Sequence, residues 1–250
     1  MEMHRIHMEN VHKDFYSERD SLRVLDDINI YADEGEFISI IGPSGCGKST
    51  IFHILTGLVN EYEGSVQIDG IPLSEYDKRV GYMHQKDLLM PWRNLIDNVI
   101  IPLEIQGEKK SDAKKKVMEL LPVFGLEGFE KSYPSELSGG MRQRAALLRT
   151  VLVESDIMLL DEPFGALDAI SRSKMQKWLL EIWSRFKRTV MFITHDIEEA
   201  IFLSDRVYVL TNRPATVLKE VKIDFERPRN KEILVSQKFL DYKKILMDAL

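Results

Sequence analysis

The sequence predicts an α/β fold in which a parallel sheet is covered by helices on both faces and interrupted by a helical insertion. The first observation is a set of compact apolar runs with the pattern of buried parallel strands, at 37–41, 157–160, 190–193 and 207–210. The second is helical spacing of apolar residues between these runs. The third is a middle segment, about 88–150, in which proline recurs between helical stretches.

The first third of the chain predicts strands followed by one turn and one helix. Partial alternation marks two early strands, one with Ile6, Met8 and Val11 and the other with Leu25, Ile28 and Ile30. The β-branched run Phe37–Ile41 then ends in the turn Gly42–Gly45. A helix is expected to begin at Gly47 and to continue through Leu55.

The middle segment predicts helices. One is expected over Asp112–Leu121, with Lys114, Lys115 and Lys116 on a solvated face rather than in a binding site. The next helix carries a buried stripe, which consists of Met141, Ala145, Leu148 and Leu152.

After residue 154 the alternation of strands and helices returns. A long helix buries one face, formed by Met175, Leu179, Ile182 and Phe186. The segment from Arg227 is polar with scattered apolar residues, which predicts a loop and a terminal helix without a dedicated regulatory fold.

Composition narrows the function classes. The formal net charge is −6 over 250 residues, which gives no support to a nucleic-acid binder. The single cysteine, Cys46, excludes an internal disulfide and fits a reducing compartment. No apolar run approaches the roughly 20 residues of a membrane span, and the N-terminus does not have the pattern of a signal peptide. A soluble subunit is expected, with any membrane role acting through a partner.

The segment Gly42–Thr50 matches the phosphate-loop pattern G-x-x-x-x-G-K-[ST]. Glycines allow successive N–H groups to face one anion, and the N-terminus of the following helix points positive charge at the same place. Lys48 adds a full charge near the β- and γ-phosphates, and the Ser49 hydroxyl is a ligand for Mg²⁺. Cys46 is expected to be a small filler. The predicted binding residues are Gly42, Pro43, Ser44, Gly45, Cys46, Gly47, Lys48, Ser49 and Thr50.

Two carboxylates end the buried strand Ile157–Leu160. Asp161 is placed to hold a Mg²⁺-bound water, and Glu162 is the candidate general base for an attacking water. Two acids after a strand would more often begin a helix, but a phosphate loop in the same chain favours the catalytic interpretation.

The segment Leu137–Gln143 is the most diagnostic. Ser138 can cap a helix, but a simple cap does not need Gly139 and Gly140 as well. With these motifs the sequence resembles the nucleotide-binding subunits of ABC transporters over about residues 4–230, and Leu137–Gln143 is similar to the signature motif of that family.

The resemblance implies a P-loop NTPase core of the ABC ATPase type, with an N-terminal antiparallel β subdomain and an inserted helical subdomain. It implies one domain over 1–250, in which about 1–87 and 154–226 form a RecA-like core with the β subdomain, 88–153 the helical insertion and 227–250 a tail. Gln85 matches the Q-loop glutamine, Ala166–Asp168 the D-loop at the subunit contact, and His195 the switch histidine at the γ-phosphate. Phe15 matches the aromatic residue that stacks on adenine, although Tyr16 is adjacent.

The same resemblance implies catalytic roles for Lys48, Gln85, Glu162 and His195, and Mg²⁺ ligands in Ser49, Gln85 and Asp161. ATP is implied to lie between two subunits of a homodimer, where Ser138, Gly139, Gly140 and Asp168 complete each site. Transmembrane permease subunits and, indirectly, a solute-binding protein are implied partners, with the chain peripheral on the cytoplasmic face of the membrane.

Three further segments look like the nitrate/sulfonate/taurine importer group, some members of which are assigned to vitamin precursors. They are Leu88–Trp92, Glu198–Leu210 and Asn212–Pro214 with Arg227–Arg229. Leu89, Met90 and Trp92 either line a groove for a membrane subunit or pack inside the insertion. An exporter or lipoprotein-release ATPase, and a soluble ABC ATPase without a transport role, are the alternatives.

Overall fold

The computed structural model describes residues 4–17, 20–165 and 167–250. The chain forms two compact units, one built from residues up to Lys78 and from Gln176 onward, the other from Arg79–Met175. The predicted helical insertion, 88–153, falls wholly inside the second unit.

The elements follow the predicted alternation. The first unit begins with β1 (Ile6–Tyr16), β2 (Ser21–Ala32), β3 (Phe37–Ile41), α1 (Lys48–Leu55), β4 (Glu63–Ile68) and β5 (Ile71–Pro72). The second unit contains β6 (Gly81–Met83), α2 (Leu95–Val99), α3 (Ile101–Ile105), α4 (Lys110–Leu120), α5 (Gly139–Val151) and β7 (Ile157–Asp161). The helix α6 (Ala169–Phe186) leads back to the first unit, which ends with β8 (Thr189–Ile193), α7 (Ile197–Leu203), β9 (Arg206–Leu210), β10 (Val217–Lys222) and α8 (Gln237–Met247).

An antiparallel sheet in the first unit confirms the expected N-terminal β subdomain. Its strand order is β2-β1-β4-β5, and Ile6 lies opposite Ala32 on one side and Ile68 on the other. Ile6, Met8 and Val11 are buried, as the partial alternation predicted, and the register shifts between Met8 and Val11 explain why the alternation is incomplete.

The first unit also holds a largely parallel sheet. β3 pairs in parallel with β8 and with β9, and β10 pairs antiparallel with β9 at the edge. Every residue of β3, β8 and β9 is buried, which is the property that made these strands continuous apolar runs in the sequence.

In the second unit β6 pairs in parallel with β7, and the helices α2–α5 follow one another between them. Ala145, Leu148 and Leu152 are buried as predicted, whereas Met141 is only half-buried at the start of α5. No helix of the described residues has both the length and the apolarity to cross a bilayer.

The lysine-rich face of α4 is neutralised within the second unit. Lys110 and Lys114 both contact Asp97, at 3.1 and 2.9 Å, and Lys116 pairs with Glu108 and Glu154. Burial opposes ionisation of Asp97, but the hydrogen bonds from the two lysines prevail and lower its pKa. These pairs support the prediction of a solvated face.

The C-terminal segment is part of the core of the first unit. Phe239 and Leu246 of α8 are buried in a cluster with Ala200, Ile201 and Val207. The predicted terminal helix is therefore confirmed, but its apolar residues are packing residues that the polar composition of the segment concealed.

Arg229 anchors this segment to the end of α7. Its side chain is fully buried, and it donates to the carbonyls of Ile201, Phe202 and Ser204 at 3.1, 3.1 and 2.7 Å. Burial lowers the pKa of Arg229 to about 10, so the guanidinium remains charged at neutral pH. A charged donor thus satisfies carbonyls that a helix C-terminus leaves without intrahelical partners.

Arg229→Ala should lower the free energy of unfolding by on the order of 3 kcal/mol, because several buried acceptors lose their donor together. Urea unfolding followed by circular dichroism measures this change. Lys238→Ala removes an exposed ion pair with Asp224 from the same segment and serves as the control, with a far smaller effect. Equal losses in the two variants would contradict the anchoring role.

Candidate functional site

The phosphate loop connects β3 to α1 in the first unit. Gly47 has φ 130°, and a Cβ on it would lie 2.9 Å from both Val24 Cγ1 and Leu25 Cδ2. Only glycine fits this position, for both conformational and steric reasons. The packing of β2 against the loop therefore explains why the motif has glycine at position 47.

The side chain of Lys48 is buried against the backbone of its own loop. It is 6% exposed, and its ammonium donates to the carbonyls of Gly42 and Pro43, both at 2.8 Å. At the start of α1 the cap residue Gly47 contributes no side-chain acceptor, and the first turn contains no acid. Free helix N–H groups next to a buried cation are suited to a polyphosphate. Cys46 is 2% exposed, which supports its role as a filler.

The β1–β2 hairpin carries the two candidate adenine-binding aromatics. Phe15 is 42% exposed, and Lys13 Nζ lies 4.8 Å from the centre of its ring. Tyr16 is 76% exposed and lines a cavity of about 220 Å³ that Phe15 does not line. Both rings are open to a ligand, and they occupy different surroundings.

His195 follows β8 and is exposed in a short turn before α7. The next residue, Asp196, caps α7 by accepting hydrogen bonds from the backbone N–H groups of Glu198 and Glu199, at 2.8 and 3.2 Å. The position of His195 is therefore tied to a strand end on one side and a helix cap on the other.

In the second unit the two predicted carboxylates end β7. Asp161 is 6% exposed, and Tyr82 donates to its Oδ2 at 3.3 Å. Burial, together with this carboxylate, raises the pKa of Tyr82 well above its ordinary value, so Tyr82 stays a donor. Glu162 has φ 42°, a left-handed conformation that residues with a Cβ seldom adopt and that is typical of functional sites.

Gln85 and Glu162 lie together within this unit. The side-chain amide of Gln85 donates to Glu162 Oε2 at 3.0 Å. This contact brings the predicted Q-loop glutamine to the predicted general base and fixes one oxygen of that carboxylate.

The Ser138–Gly140 segment begins α5. Ser138 is exposed and caps the helix by accepting from the Met141 N–H at 3.3 Å. Among the described residues a Cβ on Gly140 would meet nothing within 4 Å, and one on Gly139 would make ordinary contacts with Leu167 and Arg142. Packing against the part of the chain that the structure describes therefore does not require glycine at either position.

Asp168 caps the following helix. Its Oδ1 accepts from the N–H groups of Ile170 and Ser171, both at 3.0 Å, and the hydrogen bonds from Ser171 and Ile170 lower its pKa. Ala166, the first residue of the predicted D-loop, lies outside the described residues. The exposed carboxylate of Asp168 is thus ionised and fixed in direction.

The motif order identifies the family. The family model described as ABC transporter matches residues 25–165, more than half of the chain. The chain belongs to this family.

The relatives agree over nearly the whole length. An uncharacterised ABC transporter ATP-binding protein of Methanocaldococcus jannaschii is 43% identical over 98% of this chain and 91% of its own. An aliphatic sulfonates import ATP-binding protein of Bacillus anthracis is 42% identical over 90% of this chain and 89% of its own. A dimeric post-hydrolysis structure of an ATP-binding cassette bound to ADP and Pi is 30% identical, with a TM-score of 0.77, and covers 88% of this chain and all of its own.

As a member of the ABC family, the chain is a P-loop ATPase and the ATP-binding subunit of a transporter, with ATP and Mg²⁺ as its cofactors. Ser49 and Asp161 offer the oxygen ligands that Mg²⁺ prefers. Within the described ranges, no three His, Cys, Asp or Glu side chains gather as a metal site.

Two arginines of α5 were not among the site residues predicted from the sequence. Arg142 donates to Asp87 Oδ2 at 3.1 Å and to the Leu137 carbonyl at 2.7 Å. Arg149 donates to the carbonyls of Asp87 and Leu88. These bonds clamp the segment after Gln85 to the signature helix α5. The arginines recur at helical spacing, but only the fold identifies their acceptors.

The sequence left two interpretations of the apolar segment after Gln85, namely a groove for a membrane subunit and packing inside the insertion. The structure assigns different residues of the segment to each. Leu89 is 8% exposed and packs inside the second unit, whereas Trp92 is 73% exposed. Met90 is half-buried. Leu88 and Trp92 are therefore the large apolar side chains of this segment that are exposed.

Lys48→Ala should weaken binding of Mg-ATP about tenfold or more, because a charge-assisted hydrogen bond contributes about 1.5–3 kcal/mol. Isothermal titration with a slowly hydrolysed ATP analogue measures the affinity. Lys219→Ala, an exposed lysine of β10, is the control. Wild-type affinity in Lys48→Ala would count against the phosphate-loop assignment.

Proposed function

We propose that the chain is the ATP-hydrolysing subunit of an importer for a small solute of the sulfonate, nitrate or taurine type. The observation that carries the direction of transport is the 42% identity with aliphatic sulfonate import proteins over 90% of the chain. The solute itself would contact partner subunits, so the substrate class rests on these relatives and on the segments that resemble the importer group. A vitamin precursor is the alternative solute class.

In the proposed reaction the N–H groups of residues 42–50 and the Lys48 ammonium hold the β- and γ-phosphates, and Phe15 or Tyr16 stacks on adenine. Glu162 accepts a proton from the attacking water, and His195 contacts the γ-phosphate. Gln85, hydrogen-bonded to Glu162, orients that carboxylate before water arrives. Bound Mg²⁺, held by Ser49, Asp161 and Gln85, would neutralise charge on the phosphate oxygens.

The proposed active form is a homodimer in which Ser138, Gly139 and Gly140 of one subunit approach the γ-phosphate of ATP held by the other. The open space at Gly140 supports this arrangement, because a nucleotide could approach the start of α5 closely. Asp168 would lie at the subunit contact. The solved cassette that covers 88% of this chain is itself dimeric.

The proposed membrane contact lies at the exposed residues of the Leu88–Trp92 segment. Leu88 is 52% and Trp92 is 73% exposed, and an exposed apolar cluster indicates a partner. Arg149 fixes the backbone of Leu88, which has φ 47°. A permease docked here would be connected through the clamp to α5 and would place the subunit at the cytoplasmic face of the membrane, with a solute-binding protein acting on the far side.

An exporter ATPase would use the same catalytic residues, and a soluble ABC ATPase would use them without a permease. The relatives favour the importer, because the sulfonate proteins are named for import. Identification of the membrane partner separates these three functions.

Glu162→Gln should lower ATP turnover by about a hundredfold or more, since general-base catalysis contributes that much. ATP binding should persist, and light scattering should detect a dimer when ATP is added. Glu181→Gln, an exposed acid on α6, is the control for the loss of one charge. Unchanged turnover in Glu162→Gln would show that Glu162 is not the base.

Purification of the tagged chain from detergent-solubilised membranes of its native cell should recover integral membrane subunits, identified by mass spectrometry. Trp92→Ala should reduce their recovery several-fold, while Ile105→Ala, an equally exposed apolar side chain of the same unit, should not. Recovery of an exporter permease would contradict import, and a chain without membrane partners would favour the soluble alternative.

A further inference from the structure

A buried carboxylate lies directly behind the turn that carries His195. Glu199, in the first turn of α7, is 4% exposed. A buried carboxylate is costly unless its oxygens accept hydrogen bonds, and both oxygens of Glu199 do so. The site residues predicted from the sequence do not include it.

The first of these bonds reaches the residue before His195. The Thr194 hydroxyl, itself 2% exposed, donates to Glu199 Oε2 at 2.6 Å. The same hydroxyl oxygen accepts from the N–H of Asp196 at 3.0 Å. Thr194 and Asp196, on either side of His195, are therefore connected by hydrogen bonds to Glu199.

The second bond reaches α6. The side-chain amide of Gln176 donates to Glu199 Oε1 at 3.1 Å. α6 begins at Ala169, immediately after Asp168, and thus starts at the predicted subunit contact. Glu199 joins the turn of His195 to the helix that follows this contact.

We propose that Glu199 is a positioning residue for ATP hydrolysis, which holds the His195 turn through Thr194 and anchors it to α6 through Gln176. This inference rests on the proposed role of His195 at the γ-phosphate. A neutral or shorter side chain at 199 would let the turn relax, so that the imidazole no longer meets the phosphate in the reactive geometry. Small displacements of a catalytic group lower the rate of the chemical step strongly.

The test compares steady-state ATP hydrolysis by the full-length chain with the ATP affinity of the same variants. Thr194→Val removes the hydroxyl at nearly constant volume, and Glu199→Gln weakens the acceptor. Both should lower kcat about tenfold or more while KM for ATP stays within about twofold, because the phosphate loop is untouched. Thr194→Ser, which keeps the hydroxyl, should restore kcat to near the wild-type value.

The hydrogen bond from Gln176 to Glu199 is tested by one variant of α6 and one control variant. Gln176→Leu should lower kcat several-fold, whereas Lys177→Leu, the exposed neighbour on the same helix, should not. A normal kcat in Gln176→Leu would overturn the anchoring to α6.

A background variant distinguishes positioning from general destabilisation. In His195→Ala, addition of Thr194→Val should change kcat less than about twofold, because the side chain being positioned is already absent. An additive loss in the double variant, or a loss that tracks a lower Tm and a higher KM, would make Glu199 merely structural and overturn the inference.

The failure of the proposed function has a different result. If His195→Ala itself turns over ATP at the wild-type rate, the role of His195 is wrong and this inference falls with it. If His195→Ala is slow but Thr194→Val and Glu199→Gln retain full kcat, only the inference about Glu199 is wrong.

Discussion

The structure depends on one buried arrangement, in which the Lys48 ammonium is held against the carbonyls of its own loop. A lysine that is 6% exposed is stable only when its donors are satisfied, and the carbonyls of Gly42 and Pro43 do this at 2.8 Å. Gly47, the residue before Lys48, has φ 130°, and a Cβ on it would lie 2.9 Å from side-chain atoms of Val24 and Leu25 in β2. The conformation of the phosphate loop is therefore fixed by contacts with its own lysine and with β2. These contacts place the Lys48 ammonium where a phosphate can bind.

Three other predicted site residues share one structural position, just after the end of a parallel strand. Gln85, Glu162 and His195 each follow the carboxyl end of a parallel strand, β6, β7 and β8 respectively. Strand ends release the chain into short turns, where a polar side chain can face a ligand while the strand itself stays buried. Hydrogen bonds behind these turns then fix the side chains, as Tyr82 does for Asp161 and Thr194 for the backbone beside His195.

The sequence was informative wherever one local pattern decided the structure. β3, β7, β8 and β9 are buried at every position, so their apolar runs identified them within about one residue, and the glycine and lysine spacing identified the phosphate loop. Contacts between distant residues could not be predicted in this way. Arg229, the Arg142 and Arg149 clamp and the Glu199 network each join segments far apart in the chain, and no local periodicity records such a partner. Leu89 and Trp92 show the same limit, since similar residues in one short segment differ in burial only through the fold.

At Gly140, the stability of the subunit and the proposed ATP hydrolysis favour different residues. Alanine there would clash with none of the residues that the structure describes, and it would stabilise α5 by up to about 1 kcal/mol because glycine is a poor helix former. A laboratory selection for heat resistance of the isolated subunit would therefore favour this replacement. In the proposed dimer the phosphate of the partner's ATP approaches the backbone here, so the assembled ATPase would select against the methyl group. A variant more heat-resistant than the natural subunit would then have lost ATP hydrolysis.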